Sequence, residues 1–237
     1  MKEGRLSTAS RGYIAAVSLA AVLASAVFWH ANGAAISLVS VLLIAGLGVL
    51  AHAYPIQGFR HQAYQMTLPF IVLAAALFST AELVAFILLI HLAEQARLRR
   101  RLPIQWFNAC DYLLSAVIAA ALYHRAGALL TDGALGQVAA ALAAACVFIL
   151  LNRVLLAGVL WLARRLSPVA SGLFQPELLA ADVVIAWMAG PMLVLTLVTG
   201  PWMILVTAAP LVLARPALAG LLDRHDEPIL ASRERAA

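Results

Sequence analysis

The chain predicts an all-α, polytopic membrane bundle, and three observations carry that prediction. It is 64% hydrophobic and only 11% charged, where soluble domains run at about 45–50% apolar and about 25% charged. Its apolar residues gather into repeated runs near the length of a membrane crossing, about 20 residues. Its basic residues collect at the ends of those runs, where they act as topology determinants. A mean hydropathy of +0.95 leaves more apolar surface than a soluble fold of this length could hide, so lipid must cover it. The net charge of +5 lacks the basic stripe with interleaved aromatics that nucleic-acid binding needs.

The first run, Tyr13 to Trp29, follows a basic N-terminus and has the outline of a signal peptide. Its length and the imperfect cleavage signal Ala24-Ser25-Ala26 predict an uncleaved first span. The turn His30-Ala31-Asn32-Gly33 leads to a second span, Ala35 to Ala53. A polar, turn-rich connector, Tyr54 to His61, precedes an apolar stretch from about Tyr64 to Leu92.

Two short helices fit that stretch better than one long one. Ser79-Thr80-Ala81-Glu82 has the form of a capping box, in which Ser79 accepts the Glu82 amide and the Glu82 carboxylate reaches back. Such a device starts a helix. With Lys2, Arg5 and Arg11 cytoplasmic, a single helix would place Arg97, Arg99, Arg100 and Arg101 outside, against the positive-inside rule, whereas a hairpin keeps them inside.

Further spans are expected over Phe107 to Tyr123, Leu135 to Ala163, Leu178 to Val198 and Trp202 to Ala214. Met66 to Phe78 and Trp202 to Ala214 are short for a full crossing. The result is about eight crossings with both termini cytoplasmic. A single transmembrane domain covers 1–215, and a short polar tail covers 216–237. On this topology fourteen of the sixteen Lys and Arg residues lie inside. Cys110 and Cys146 both fall in apolar segments, where no disulfide is expected.

An ionisable group inside a bilayer is a functional-site hypothesis by default. Arg153 lies eleven residues before Arg164, roughly 16 Å along a helix and near mid-bilayer. With Asn152 beside it, it is the foremost ligand-binding position; the alternative is a structural ion pair with Glu82 or Asp182. Glu82 is first a helix cap, with a ligand role as the second reading, and Asn108 joins Arg153, Asn152 and Glu82 as a ligand-site position. Asp111 favours the start of its helix, and Asp182 can pair with a loop arginine. Arg97, Arg99, Arg100 and Arg101 are expected to face a partner. His91 and Glu94 have a spacing that can share a metal, but two ligands make no site, so neither a metal nor a cofactor is expected. His52 and His61 are expected at the interface. Signatures of zinc proteases, serine hydrolases and phosphate-binding loops are missing, as are paired catalytic acids.

Several segments together carry a resemblance. They are Tyr54-Pro55-Ile56, the paired short helices about Ser79, and the basic loop followed by Phe107-Asn108-Ala109. Leu151-Asn152-Arg153-Val154-Leu155-Leu156 and Pro210-Leu211-Val212-Leu213-Ala214-Arg215 follow. Their order, over roughly Ala51 to Arg215, resembles the multi-span membrane-associated sensor domains found N-terminal to GGDEF and HD-GYP domains of bacterial signalling proteins. Those are similar in outline to the substrate-binding components of energy-coupling-factor transporters. Ser79-Thr80 stands where Gly-Pro is usual, and no output domain follows. The resemblance implies a non-enzymatic sensory or ligand-binding module of the bacterial inner membrane. It would bind a small or lipidic ligand and work through a cytoplasmic signalling partner. A transporter component working with an ATPase, or an enzyme on lipid-linked substrates, are the alternatives.

Overall fold

The computed structural model describes residues 6–29, 36–54, 56–57, 63–64, 66–129, 133–211 and 213. The described residues are almost wholly helical. Helices α1 (Thr8–Val27) and α2 (Leu38–Ala53) come first. A two-residue antiparallel ladder follows, β1 (Ile56–Gln57) with β2 (Ala63–Tyr64). Then come α3 (Leu68–Leu77), α4 (Thr80–Leu98), α5 (Leu102–Leu129) and α6 (Ala134–Arg164). Helices α7 (Pro176–Trp187) and α8 (Ala189–Thr199) complete the set, with a last helical stretch over 203–211. The expected tail, 216–237, lies outside the described residues.

Among the described residues, four segments are long and apolar enough to cross a membrane: α1, Leu102–Gly127 of α5, α6, and α7 with α8 taken together. Their outer faces are bare hydrocarbon. Val22 and Val27 of α1, Leu150 of α6 and Val198 of α8 are each more than half exposed. In water such a surface would drive aggregation; lipid is the solvent that suits it. Trp29, Trp106 and Trp202 are at least half exposed near helix ends, as an aromatic belt requires.

The stretch after the connector divides as the capping box predicts. The Ser79 amide donates to Glu82 Oε2 (2.8 Å), and the Glu82 amide donates to Ser79 Oγ (3.3 Å). The two helices it separates differ in kind. Helix α4 has 19 residues and one buried face, whereas α3 has ten residues, all buried. The α3 sequence LPFIVLAAAL is apolar all round, the pattern of a helix with no solvent face. Neighbours α2, α4, α5, α6, α7 and α8 enclose it. At about 15 Å it spans half a hydrocarbon core.

The expected span over Leu178 to Val198 is present within Pro176–Thr199, with an irregularity at Met188 that divides it into α7 and α8. Pro191 explains the irregularity: it has no amide to donate, and its ring would meet the carbonyl of Trp187, where α7 ends. Helix α5 begins earlier than its apolar run, at Leu102, with Pro103 tolerated in the first turn. The basic loop between α4 and α5 is therefore only Arg99, Arg100 and Arg101.

Candidate functional site

One end of the bundle collects the C-terminus of α2, the N-terminus of α3, the last third of α4 and the first turns of α5. Four polar side chains meet there. His52 comes from α2, His91 and Glu94 from α4, and Gln105 from α5, and all are buried. Glu94 Oε2 stands 3.5 Å from His52 Nε2 and 3.6 Å from His91 Nδ1. Gln105 Nε2 donates to that same oxygen (3.1 Å) and to the His91 carbonyl (2.7 Å). The second carboxylate oxygen, Oε1, faces Arg100 Nη2 at 3.0 Å.

Each side chain has a reason to be there. His91 and Glu94 lie one turn apart on one face of α4. His52 is brought over by the close approach of α2 to α4 at Gly48, one turn earlier on the same face of α2. A Cβ on Gly48 would come within 2.6 Å of the Phe86 ring. Arg97 fastens the same junction, bonding the Ala53 carbonyl and lying over the Tyr54 ring at 4.0 Å. Thr67 Oγ1 is 3.3 Å from His52 Nδ1. Tyr112 packs edge-on against both imidazoles, with centroids at 5.4 Å and 4.8 Å, and the two imidazoles stand edge to face at 4.7 Å. The rings are thus held in place by their neighbours.

His52 was the least expected member. Its place at the end of an apolar run suggests the membrane interface, but it is buried between α2, α4 and Tyr112. It supplies the third metal-type donor that the His91/Glu94 pair lacks: one donor atom from each of the three lies within 4.8 Å of the others. Gly48 is the sequence signal that could have found it, since it marks the face of α2 that approaches another helix. His61 lies outside the described residues.

The residues singled out from sequence do not form one site. Arg153 is buried and bonds Asp182 Oδ2 and the Leu173 carbonyl. Its partner comes from α7, one of the two alternatives the sequence offers, and not from a loop. Asn152 Nδ2 donates to Asp111 Oδ2 (3.1 Å), and Ser115 Oγ donates to Asp111 Oδ1 (3.4 Å). Asn108 lies half-buried one turn before Asp111 on α5. Glu82 is exposed and engaged in its capping box. Thr80 and Leu83, on either side of it, share a cleft with Ala120, Ala121 and His124. Glu82 is thus level with α5 residues about ten positions beyond Asp111, roughly 15 Å along the helix. Of the basic cluster, Arg97 at the end of α4 and Arg100 in the loop have internal partners, and Arg99 takes the left-handed conformation that ends α4. Arg101 is exposed before α5.

Comparison with protein-family models, curated proteins and solved structures finds no match.

Proposed function

We propose that the chain is a ligand-sensing module of the bacterial inner membrane. It crosses about eight times with both ends cytoplasmic, and reports the state of its buried polar site through the basic loop to a cytoplasmic signalling partner. The observation that carries this reading is the single carboxylate of Glu94. One of its oxygens faces the buried His52, His91 and Gln105, and the other faces Arg100 of the loop. A ligand that draws on Oε2 necessarily alters how Oε1 holds Arg100, whose side chain is 39% exposed and free to re-orient. Arg97 and Arg100 then act as a hinge between site and partner, while Arg99 and Arg101 present further positive charge. The resemblance to multi-span sensor domains supports the same reading, and the Arg153–Asp182 pair is taken as framework.

Gentle detergent extraction of the full chain from its own host, followed by mass spectrometry of what accompanies it, tests the proposal. A co-purifying kinase, cyclase or phosphodiesterase, reduced by Arg100→Ala, is the expected result. Recovery of a transport ATPase pair would instead make the chain a transporter component. A chain that emerges alone and turns over a lipid-linked substrate would replace the sensor with an enzyme.

A further inference from the structure

We infer that His52, His91 and Glu94, completed by Gln105, bind one divalent transition-metal ion of the zinc type. As the ligand sensed by the module, the ion rests on the reading above; as a bound ion, it stands by itself.

The spacing is the first ground. Glu94 Oε2 is 3.5 Å from His52 Nε2 and 3.6 Å from His91 Nδ1. These are longer than N–H···O hydrogen bonds, which run to about 3.2 Å. They match the edges of a coordination tetrahedron. With metal–nitrogen and metal–oxygen bonds of about 2.0–2.2 Å, tetrahedral ligands lie roughly 3.3–3.6 Å apart. Two of the three edges thus have the length an ion requires, and all three donors lie within 4.8 Å of one another.

The orientation of His52 is the second ground. In the tautomer that donates Nδ1–H to Thr67 Oγ1, 3.3 Å away, Nε2 turns a lone pair toward a carboxylate oxygen. In that tautomer two acceptors face each other in a buried site, an arrangement that a cation between them relieves. Anchoring of the non-ligating imidazole nitrogen by a neighbouring acceptor is also how metal-bound histidines are commonly oriented. His52 Nε2 itself is buried without a hydrogen-bond partner.

Gln105 offers the fourth donor. Its Oε1 is buried and has no hydrogen-bond partner, while its Nε2 sits 3.1 Å from Glu94 Oε2 and 3.4 Å from His91 Nδ1. Nε2 also donates to the His91 carbonyl (2.7 Å), so Oε1 enters the donor set only by a turn of the whole side chain that gives up that bond. Two imidazoles with carboxylate and amide oxygens suit a first-row divalent ion better than a soft monovalent one. Arg100, partly exposed and already on Glu94, stands at the mouth of the site and competes with the ion for the carboxylate.

The test uses the full chain in detergent, purified with a tag that contains no histidine, stripped with chelator and titrated with Zn²⁺ by calorimetry. One ion per chain is expected, and Co²⁺ should give the visible absorption of a four-coordinate site. Glu94→Gln and His91→Ala should each weaken Zn²⁺ by at least about 100-fold, and Thr67→Val, which removes only the anchor of His52, by about tenfold or more. Thermal unfolding of the stripped variants controls for folding; Thr67→Val keeps the question open to refutation if His91→Ala does not fold. Wild-type protein that takes up no Zn²⁺, or whose Zn²⁺ binding survives Glu94→Gln and Thr67→Val unchanged, would overturn the site whatever partner co-purifies. Arg100→Gln should tighten Zn²⁺ on the order of threefold by removing the competing cation. Tight Zn²⁺ binding indifferent to Arg100→Gln would keep the ion and remove its link to the loop, and with it the sensing role.

Discussion

Two buried polar clusters in this bundle have opposite characters. Around Arg153, charge meets charge: one guanidinium nitrogen bonds Asp182 and another bonds the Leu173 carbonyl, both partners coming from the segment that follows α6. Around Glu94, a single carboxylate is shared among two imidazoles, an amide and a partly exposed guanidinium, and His52 Nε2, His91 Nε2 and Gln105 Oε1 are buried without a hydrogen-bond partner. The first cluster is closed by its ion pair, which an entering ligand would have to break, although Arg153 Nε is buried without a hydrogen-bond partner. The second holds more binding capacity than its own members use. Depth in the membrane, which draws attention to Arg153 in the sequence, therefore says where a polar group is costly. The balance of partners says where a ligand fits.

Removing half of the closed cluster is the largest perturbation. Arg153→Ala leaves Asp182 buried without its cation, and the expected loss is about 3–5 kcal/mol of stability, with Asp182→Ala similar. Replacing both together, as Arg153→Met with Asp182→Leu, should recover most of that loss, because no isolated charge remains. Thermal unfolding of the single and double variants in detergent gives the coupling. If Arg153→Ala folds with native stability, the cluster is not framework. The ligand site expected from the sequence at Arg153 and Asn152 would then return to the front.

A smaller effect is expected from the joint that brings His52 to α4. At Gly48 an added Cβ would meet the Phe86 ring at 2.6 Å, so Gly48→Ala forces α2 and α4 apart or turns the ring. Overpacking of this kind costs about 1–3 kcal/mol. Because His52 lies one turn further along α2, the variant should also weaken any Zn²⁺ binding, while leaving the Arg153–Asp182 coupling intact. A Gly48→Ala protein that loses stability but binds Zn²⁺ as tightly as wild type would show that the site does not depend on this helix contact.

The sequence exposed local devices and hid distant ones. The capping box at Ser79 and Glu82 is legible because both halves lie within four residues, and the division into two helices that it implies is present. The apolar runs were legible because a bilayer sets their length. The irregularity at Met188 was written in Pro191, three residues later, but hydropathy averaging conceals a proline within an apolar run. The site was illegible for a different reason. His52 and His91 are separated by a connector and the short helix α3, and which faces of α2 and α4 meet depends on Gly48 opposite Phe86. Gln105 lies among residues that read as loop, because α5 begins before its apolar run does.

The smallest effect is the one that separates the two clusters most sharply. Glu94→Gln removes a buried charge, as Asp182→Ala does, yet its expected cost in metal-free protein is below about 1 kcal/mol. Arg100 keeps 39% of its side chain exposed and can return to water. The new amide oxygen can still accept from Gln105 Nε2, so the substitution strands no charged partner. A loss comparable to that of Asp182→Ala, measured by the same unfolding assay, would mean that Glu94 is as tightly bound into the framework as Asp182. The open cluster would then be a second closed one. A near-neutral Glu94→Gln that also forfeits the stabilisation Zn²⁺ gives the wild type would place the carboxylate where ligand binding, and not folding, depends on it.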